Sequence, residues 1–133
     1  MQNYPSERSA ERTIELAKSL IATLQERVPG WDRAYIRFEA SDFHSGVKGS
    51  YITASGVFLF DAFEFKELFN QIISLGVELR EELTKDGKQF CLFLLRVDSH
   101  FNFNIDYEWS DVTRWKISKM GGASGLPEGV AEA

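Results

Sequence analysis

Hydrophobic positions change their period several times along this chain, and each change marks an element. Ala10, Ile14, Ala17, Ile21, Leu24 and Val28 recur at helical spacing. Ser6 or Ser9 is placed to cap that helix, and Pro29-Gly30 ends it. From Trp31 the period drops to two: Ala34, Ile36, Phe38 and Ala40 point one way, Tyr35, Arg37 and Glu39 the other. This predicts a strand with one side built for solvent or a partner. A polar loop at 41–46 carries Asp42 and His44; a weaker strand at 48–54, a turn at Ser55-Gly56 and a short strand at 57–60 follow. Asp61 with Glu64 three residues on, flanked by Phe60 and Phe65, predicts a capped and stapled helix start. The apolar stripe of that helix is Phe65, Leu68, Phe69, Ile72, Ile73, Gly76, Leu79 and Leu83, and Asp86-Gly87 terminates it. Gly76 lies within the stripe, where a glycine is best explained by close approach of another backbone.

The most informative stretch runs from 79 to 109. Residues 90–95, FCLFLL, are apolar at both parities, the pattern of a strand covered on both faces. After Asp98-Ser99-His100 the pattern becomes strict alternation, with Phe101, Phe103, Ile105 and Tyr107 on one side and Asn102, Asn104, Asp106 and Glu108 on the other. A two-residue turn at Asp98-Ser99 sets Leu94 opposite Phe103 and Leu92 opposite Ile105, whereas a three-residue turn shifts the pairing by one and exchanges the partners. The pattern does not choose between the registers; by their apolar parity Leu92 and Phe103 are the expected core residues of the hairpin. Residues 112–120 fit either a short strand or a helical turn. Residues 121–133, rich in Gly and Ala and without a period, read as a flexible tail. The expected architecture is a single α+β domain over 1–120: a mostly antiparallel sheet of about five strands packed with two main helices, in the order α-β-β-β-α-β-β.

At 133 residues with 11 Phe the chain has apolar surface for one core and no room for a second domain. The net charge of −5 disfavours direct nucleic-acid or membrane contact and favours a basic partner. A single cysteine, Cys91, excludes an internal disulfide framework, and its place in the most apolar strand marks it as a small buried hydrophobe. The charged amino end offers no secretory run and no stretch is long enough to span a membrane, so the expected location is cytoplasmic.

Candidate chemistry is thin. Asp98 and His100 at a strand turn, with Cys91 or Ser99 as nucleophile, make the best catalytic set, but a regular hairpin separates Cys91 from His100 by roughly 20 Å. A turn His beside an Asp is more often a surface hydrogen-bonding pair, and His44 near Asp42 has the same explanation. Two histidines and one cysteine give no metal-ligand spacing, and Gly121-Gly122 follows no clear strand, so neither a metal nor another cofactor is expected and the chain does not read as an enzyme. The aromatic alternation at 101–107 resembles a base-stacking platform, but Asp106 and Glu108 lie in the same strand, which opposes RNA binding.

Three segments carry a family resemblance: VPGW at 28–31, ELREELTKDGKQ at 78–89 and FNFNIDYEW at 101–109, with Trp115-Lys116 matching a closing motif. In this order they resemble the YezG-like bacterial immunity proteins, antitoxins that neutralise a secreted polymorphic toxin, often a nuclease. The resemblance implies a binding protein whose partner is a cognate toxin domain, in keeping with an acidic chain. A nuclease cleft must hold phosphates and is usually basic, so the outward acids Glu39, Asp42, Asp98, Asp106, Glu108 and Asp111, with Tyr51 and Trp109 as aromatic anchors, are the expected toxin-binding surface. A small hydrolase and a general adaptor module are the alternatives; the oligomeric state is left open.

Overall fold

A computed structural model describes residues 7–130; the lead-in at 1–5, the candidate cap Ser6 and the last three residues of the expected tail lie outside them. The elements follow the predicted order: α1 (Glu7–Arg27), β1 (Arg33–Ala40), β2 (Ser45–Thr53), β3 (Gly56–Leu59), α2 (Lys66–Lys85), β4 (Leu92–Asp98) and β5 (Phe103–Glu108). The strands form one sheet in the order β3-β2-β1-β4-β5, every neighbouring pair antiparallel. Both helices pack on one face of it, burying Ile36, Phe38, Phe93 and Leu95 beneath Leu20, Ile72 and Leu79. None of the described helices is long and apolar enough to cross a membrane.

The helix boundaries show how the local signals operate. The Asp61 carboxylate accepts the N–H groups of Phe63 at 2.8 Å and Glu64 at 3.4 Å, and the Phe60 and Phe65 rings meet at 5.0 Å. The cap and staple thus shape a turn that leads into α2. In α1 the buried face is Leu16, Ala17, Leu20 and Leu24, while Ala10 is exposed and Ile14 is 43% exposed. The expected stripe is therefore rotated, because Leu16 and Leu20 bury more apolar area than Ala10 and Ile14 would. Ser9 is not the cap: it lies inside α1, where its carbonyl accepts the Thr13 hydroxyl at 3.0 Å. At Gly76 it is a ring and no backbone that comes close, since an added Cβ would sit 2.7 Å from the Phe38 ring, itself stacked on Phe93.

The β4–β5 hairpin takes a register neither turn at Asp98 provides. Asp98 N–H donates to the Asn102 carbonyl at 3.0 Å, so Ser99, His100 and Phe101 form a three-residue loop, with Phe101 in the left-handed region at φ 70. The Asp98 carboxylate closes it by accepting the N–H groups of His100 and Asn102. Val97 then faces Phe103, Leu95 faces Ile105 and Phe93 faces Tyr107, while Leu94 and Leu92 face Asp106 and Glu108. Phe103 is left at the rim, 43% exposed, and is no core residue; Leu92 is fully buried. Leu92→Ala is expected to cost about 2–5 kcal/mol, and Phe103→Ala no more than about half of the 1.5–3 kcal/mol of a full burial. Urea midpoints lowered equally by the two substitutions would contradict this register.

The second face of the sheet is also covered. Residues 110–130 cross it, with Trp115 and Ile117 buried against Tyr35, Leu92 and Leu94, and Leu126 and Val130 added at the side. The stretch 123–130 doubles back along 115–118 through Gly125 N–H to the Ser118 carbonyl at 2.9 Å and Glu128 N–H to the Lys116 carbonyl at 3.0 Å. Residues 112–120 thus form no strand and no α-helix: 112–115 make a turn, with the Arg114 N–H on the Asp111 carbonyl at 3.3 Å and Trp115 at φ 60, and 116–119 run without regular structure into a short 3-10 turn at Met120–Gly122. The expected tail from 121 is, up to residue 130, a packed cover, because Leu126 and Val130 need no period to rest on a flat apolar face. The side of β1 carrying Tyr35 and Arg37, expected to meet solvent or a partner, lies beneath it.

Candidate functional site

Strand register decides which of the eight candidate residues share a surface. Glu39 pairs with Leu92 on one side of β4 and Glu108 pairs with Leu92 on the other. The two carboxylates therefore flank one buried leucine on the covered face, about 10 Å apart across two strand spacings. Asp106 stands one row along, opposite Leu94, and Asp111 follows in the exit from β5. Glu108, Asp111 and Glu39 all act on Cys91, whose thiol is pushed up by burial first and then by these charges. It donates to the Glu108 carbonyl at 3.4 Å, so it is held as a thiol rather than a thiolate.

The other four candidates lie elsewhere. Asp98 is at the far end of β4, six residues from Leu92 and so about 20 Å away. Burial pulls its carboxyl up, but hydrogen bonds from Asn102 and His100 outweigh this and leave it below its ordinary value. Tyr51 faces the helix layer, packed on Phe58, Phe60 and Phe65, and burial raises its hydroxyl pKa. Trp109 rests on Tyr107 at 5.6 Å, 48% exposed. Asp42 sits in the β1–β2 loop, 3.5 Å from Arg80.

Arginines among the acids were missed by the sequence reading. Arg96 holds Asp106 at 2.7 Å, Arg114 holds Glu108 at 2.7 Å, and Arg37 reaches Glu39 at 3.3 Å. The signal was present in β1 and β4, where Arg37 and Arg96 fall at the parity that the register brings beside the acids. Glu108 is the most constrained of the set: N–H groups of Asp111 at 3.0 Å and Ser110 at 3.2 Å join the Arg114 contact and hold its carboxyl down to about 2. It remains ionised across the physiological range. Asp111 is also lowered, by the Thr113 hydroxyl at 2.6 Å and the Thr113 N–H at 3.0 Å. Glu108 and Asp111 thus shape the β5 exit as well as charging it.

No family model and no curated protein sequence matches the chain. What the residues can do chemically is then a matter of geometry. Ser41 Oγ lies 3.3 Å from His44 Nδ1, and His44 Nε2 lies 3.9 Å from Glu39. The order is that of a nucleophile, base and acid, but the last contact is too long for a hydrogen bond. Ser41 Oγ also accepts the N–H groups of Phe43 and His44, which is the bonding of a loop cap. The His100 and Asp98 pair is likewise a loop closure. Among the described residues no three His, Cys, Asp or Glu side chains gather as metal ligands.

Proposed function

We propose that this chain is an immunity-type protein that acts in the cytoplasm by binding a cognate toxin domain, most simply a basic nuclease. The observation that carries the reading is the grouping of Glu39, Asp106, Glu108 and Asp111 on the β1-β4-β5 half of the face that the C-terminal segment covers, where Asp106 and Glu39 stay 45% and 36% exposed beside the cover while Glu108 is 14% exposed. The segments at 28–31, 78–89 and 101–109 also resemble YezG-like immunity proteins, the likeness on which the expectation of a basic nuclease partner rests. Each of Glu39, Asp106 and Glu108 has an arginine beside it, so the charge available to a partner is smaller than the acid count suggests. A basic partner gains most by replacing an exposed arginine contact such as Arg96 to Asp106, both ends of which are about two-fifths exposed.

The test is to look for a toxin domain in the adjacent reading frame, express it, and measure its binding to charge-reversed variants, with circular dichroism to check folding. Asp106→Lys is expected to cost about 2–5 kcal/mol of affinity, whereas Asp111→Lys slows association in a salt-dependent way. Glu108 is a poor probe because it also fixes the turn that follows it. Wild-type affinity in well-folded variants at Glu39, Asp106 and Asp111 alike would remove the acidic surface from consideration.

A further inference from the structure

The opposite edge of the sheet carries a different feature. β3 pairs with β2 only over Ser50–Thr53, so the first half of β2 has no outer neighbour among the described strands. The Gly49 carbonyl turns outward to accept the Phe60 N–H at 2.9 Å. By the alternation of an antiparallel ladder, Ser45 and Val47 turn their N–H and C=O groups the same way, beyond the point where β3 has left. Beside this bare edge lies a groove of about 530 Å³ with Val47, Leu59, Phe60 and Phe69 among its apolar walls and Lys48 and Lys119 at its rim. Met120, 84% exposed, overhangs it.

We propose that this edge is a strand-addition site for an extended, acidic segment of a partner protein. The alternation of β2 sets the chemistry. Val47 faces Phe38 in the helix layer and Lys48 faces Arg37 on the covered side. A strand added along Ser45 to Lys48 therefore places one parity of side chains against Val47, Phe60 and Phe69, and the other beside Lys48 and Lys119. Apolar residues suit the first set. Carboxylates suit the second, since neither lysine forms an ion pair among the described residues in a chain that is otherwise acidic; Lys119 only lies over the Phe58 ring, its Nζ 5.9 Å from the centroid. Main-chain hydrogen bonds supply affinity and the two rows supply selectivity, the division of labour in β-augmentation. A second copy joined edge to edge is disfavoured because it brings the lysines of both copies together. The site is separate from the β5 acids and does not rest on the immunity reading.

The test uses two synthetic peptides, Glu-Val-Glu-Leu-Glu-Val-Glu and its Lys-for-Glu counterpart, titrated into the full chain with amide shifts and amide exchange as readouts. The acidic peptide is expected to bind at least about tenfold more tightly than the basic one, protecting the Ser45 and Val47 amides and leaving Asp106 and Asp111 unmoved. Val47→Pro removes an N–H that faces away from β1, so it is expected to keep the fold and abolish binding, while Val47→Ala controls for the lost side chain. Lys48→Glu with Lys119→Glu is expected to reverse the preference between the peptides without touching the ladder. Equal binding of both peptides, no binding of the acidic one, or protection confined to residues away from Ser45 and Val47 overturns the proposal. So does Val47 protection that grows with protein concentration in the absence of peptide, which would assign the edge to a second copy.

Discussion

A chain ending at Trp109 is expected to lose cooperative unfolding, and one ending at Met120 to keep it with a lowered urea midpoint. The longer truncation removes Trp115 and Ile117, and with them the cover of Tyr35, Leu92 and Leu94, which are at most 3% exposed. Uncovering a large side chain costs about 1.5–3 kcal/mol, and three of them approach the roughly 5–15 kcal/mol net stability of a whole domain. The hydrogen bonds of Arg37 to the Val112 and Arg114 carbonyls go as well. The shorter truncation removes only Leu126, Val130 and the doubling back at Gly125 and Glu128, so about 1–3 kcal/mol is at stake. Dye binding to the newly apolar face should rise in both, and further in the chain ending at Trp109. A chain ending at Met120 with the full-length midpoint would restore the reading of 121–130 as a dispensable tail.

That segment shows where the sequence was legible and where it was not. Strands and helices were read from repeated spacing, and the order of all seven elements follows from it. The run Phe90 to Leu95, apolar at both parities, also required two covers, and the structure supplies both: helices over Phe93 and Leu95, the C-terminal segment over Leu92 and Leu94. The second cover went unread because a segment resting on a flat face needs only scattered anchors, here Trp115, Ile117, Leu126 and Val130, which leave no period to detect. Hairpin register failed for a related reason. Phe101 continues the apolar alternation but is drawn into the loop at φ 70 by the bonds around Asp98, and alternation alone does not record a backbone handedness. The acids of the candidate site were legible as outward charges. Their arginine partners were not, because pairing across strands depends on that register.

Arg37→Ala is expected to be among the most damaging single substitutions outside the apolar core. Its guanidinium side chain is 7% exposed and holds the C-terminal segment from beneath, donating from Nη2 to the Val112 carbonyl at 2.6 Å and from Nε to the Arg114 carbonyl at 2.8 Å. Nη1 reaches Glu39 at 3.3 Å. Each carbonyl left without a donor costs about 1–3 kcal/mol if water cannot replace it, and Glu39 loses its nearest cation. Arg37→Lys separates charge from geometry. A compact ammonium keeps the positive charge but cannot reproduce a planar fork aimed at two carbonyls and a carboxylate, so most of the loss should remain. A lysine variant as stable as wild type would show that charge alone suffices. The decisive measurement is a double-mutant cycle with Trp115→Ala. Both residues anchor the same segment, one by hydrogen bonds and one by burial, so once either is gone the segment lifts and the other has less to hold. The combined loss is therefore expected to fall short of the sum of the single losses by about 0.5–3 kcal/mol. Strict additivity would mean that 112–115 stays in place on either anchor alone.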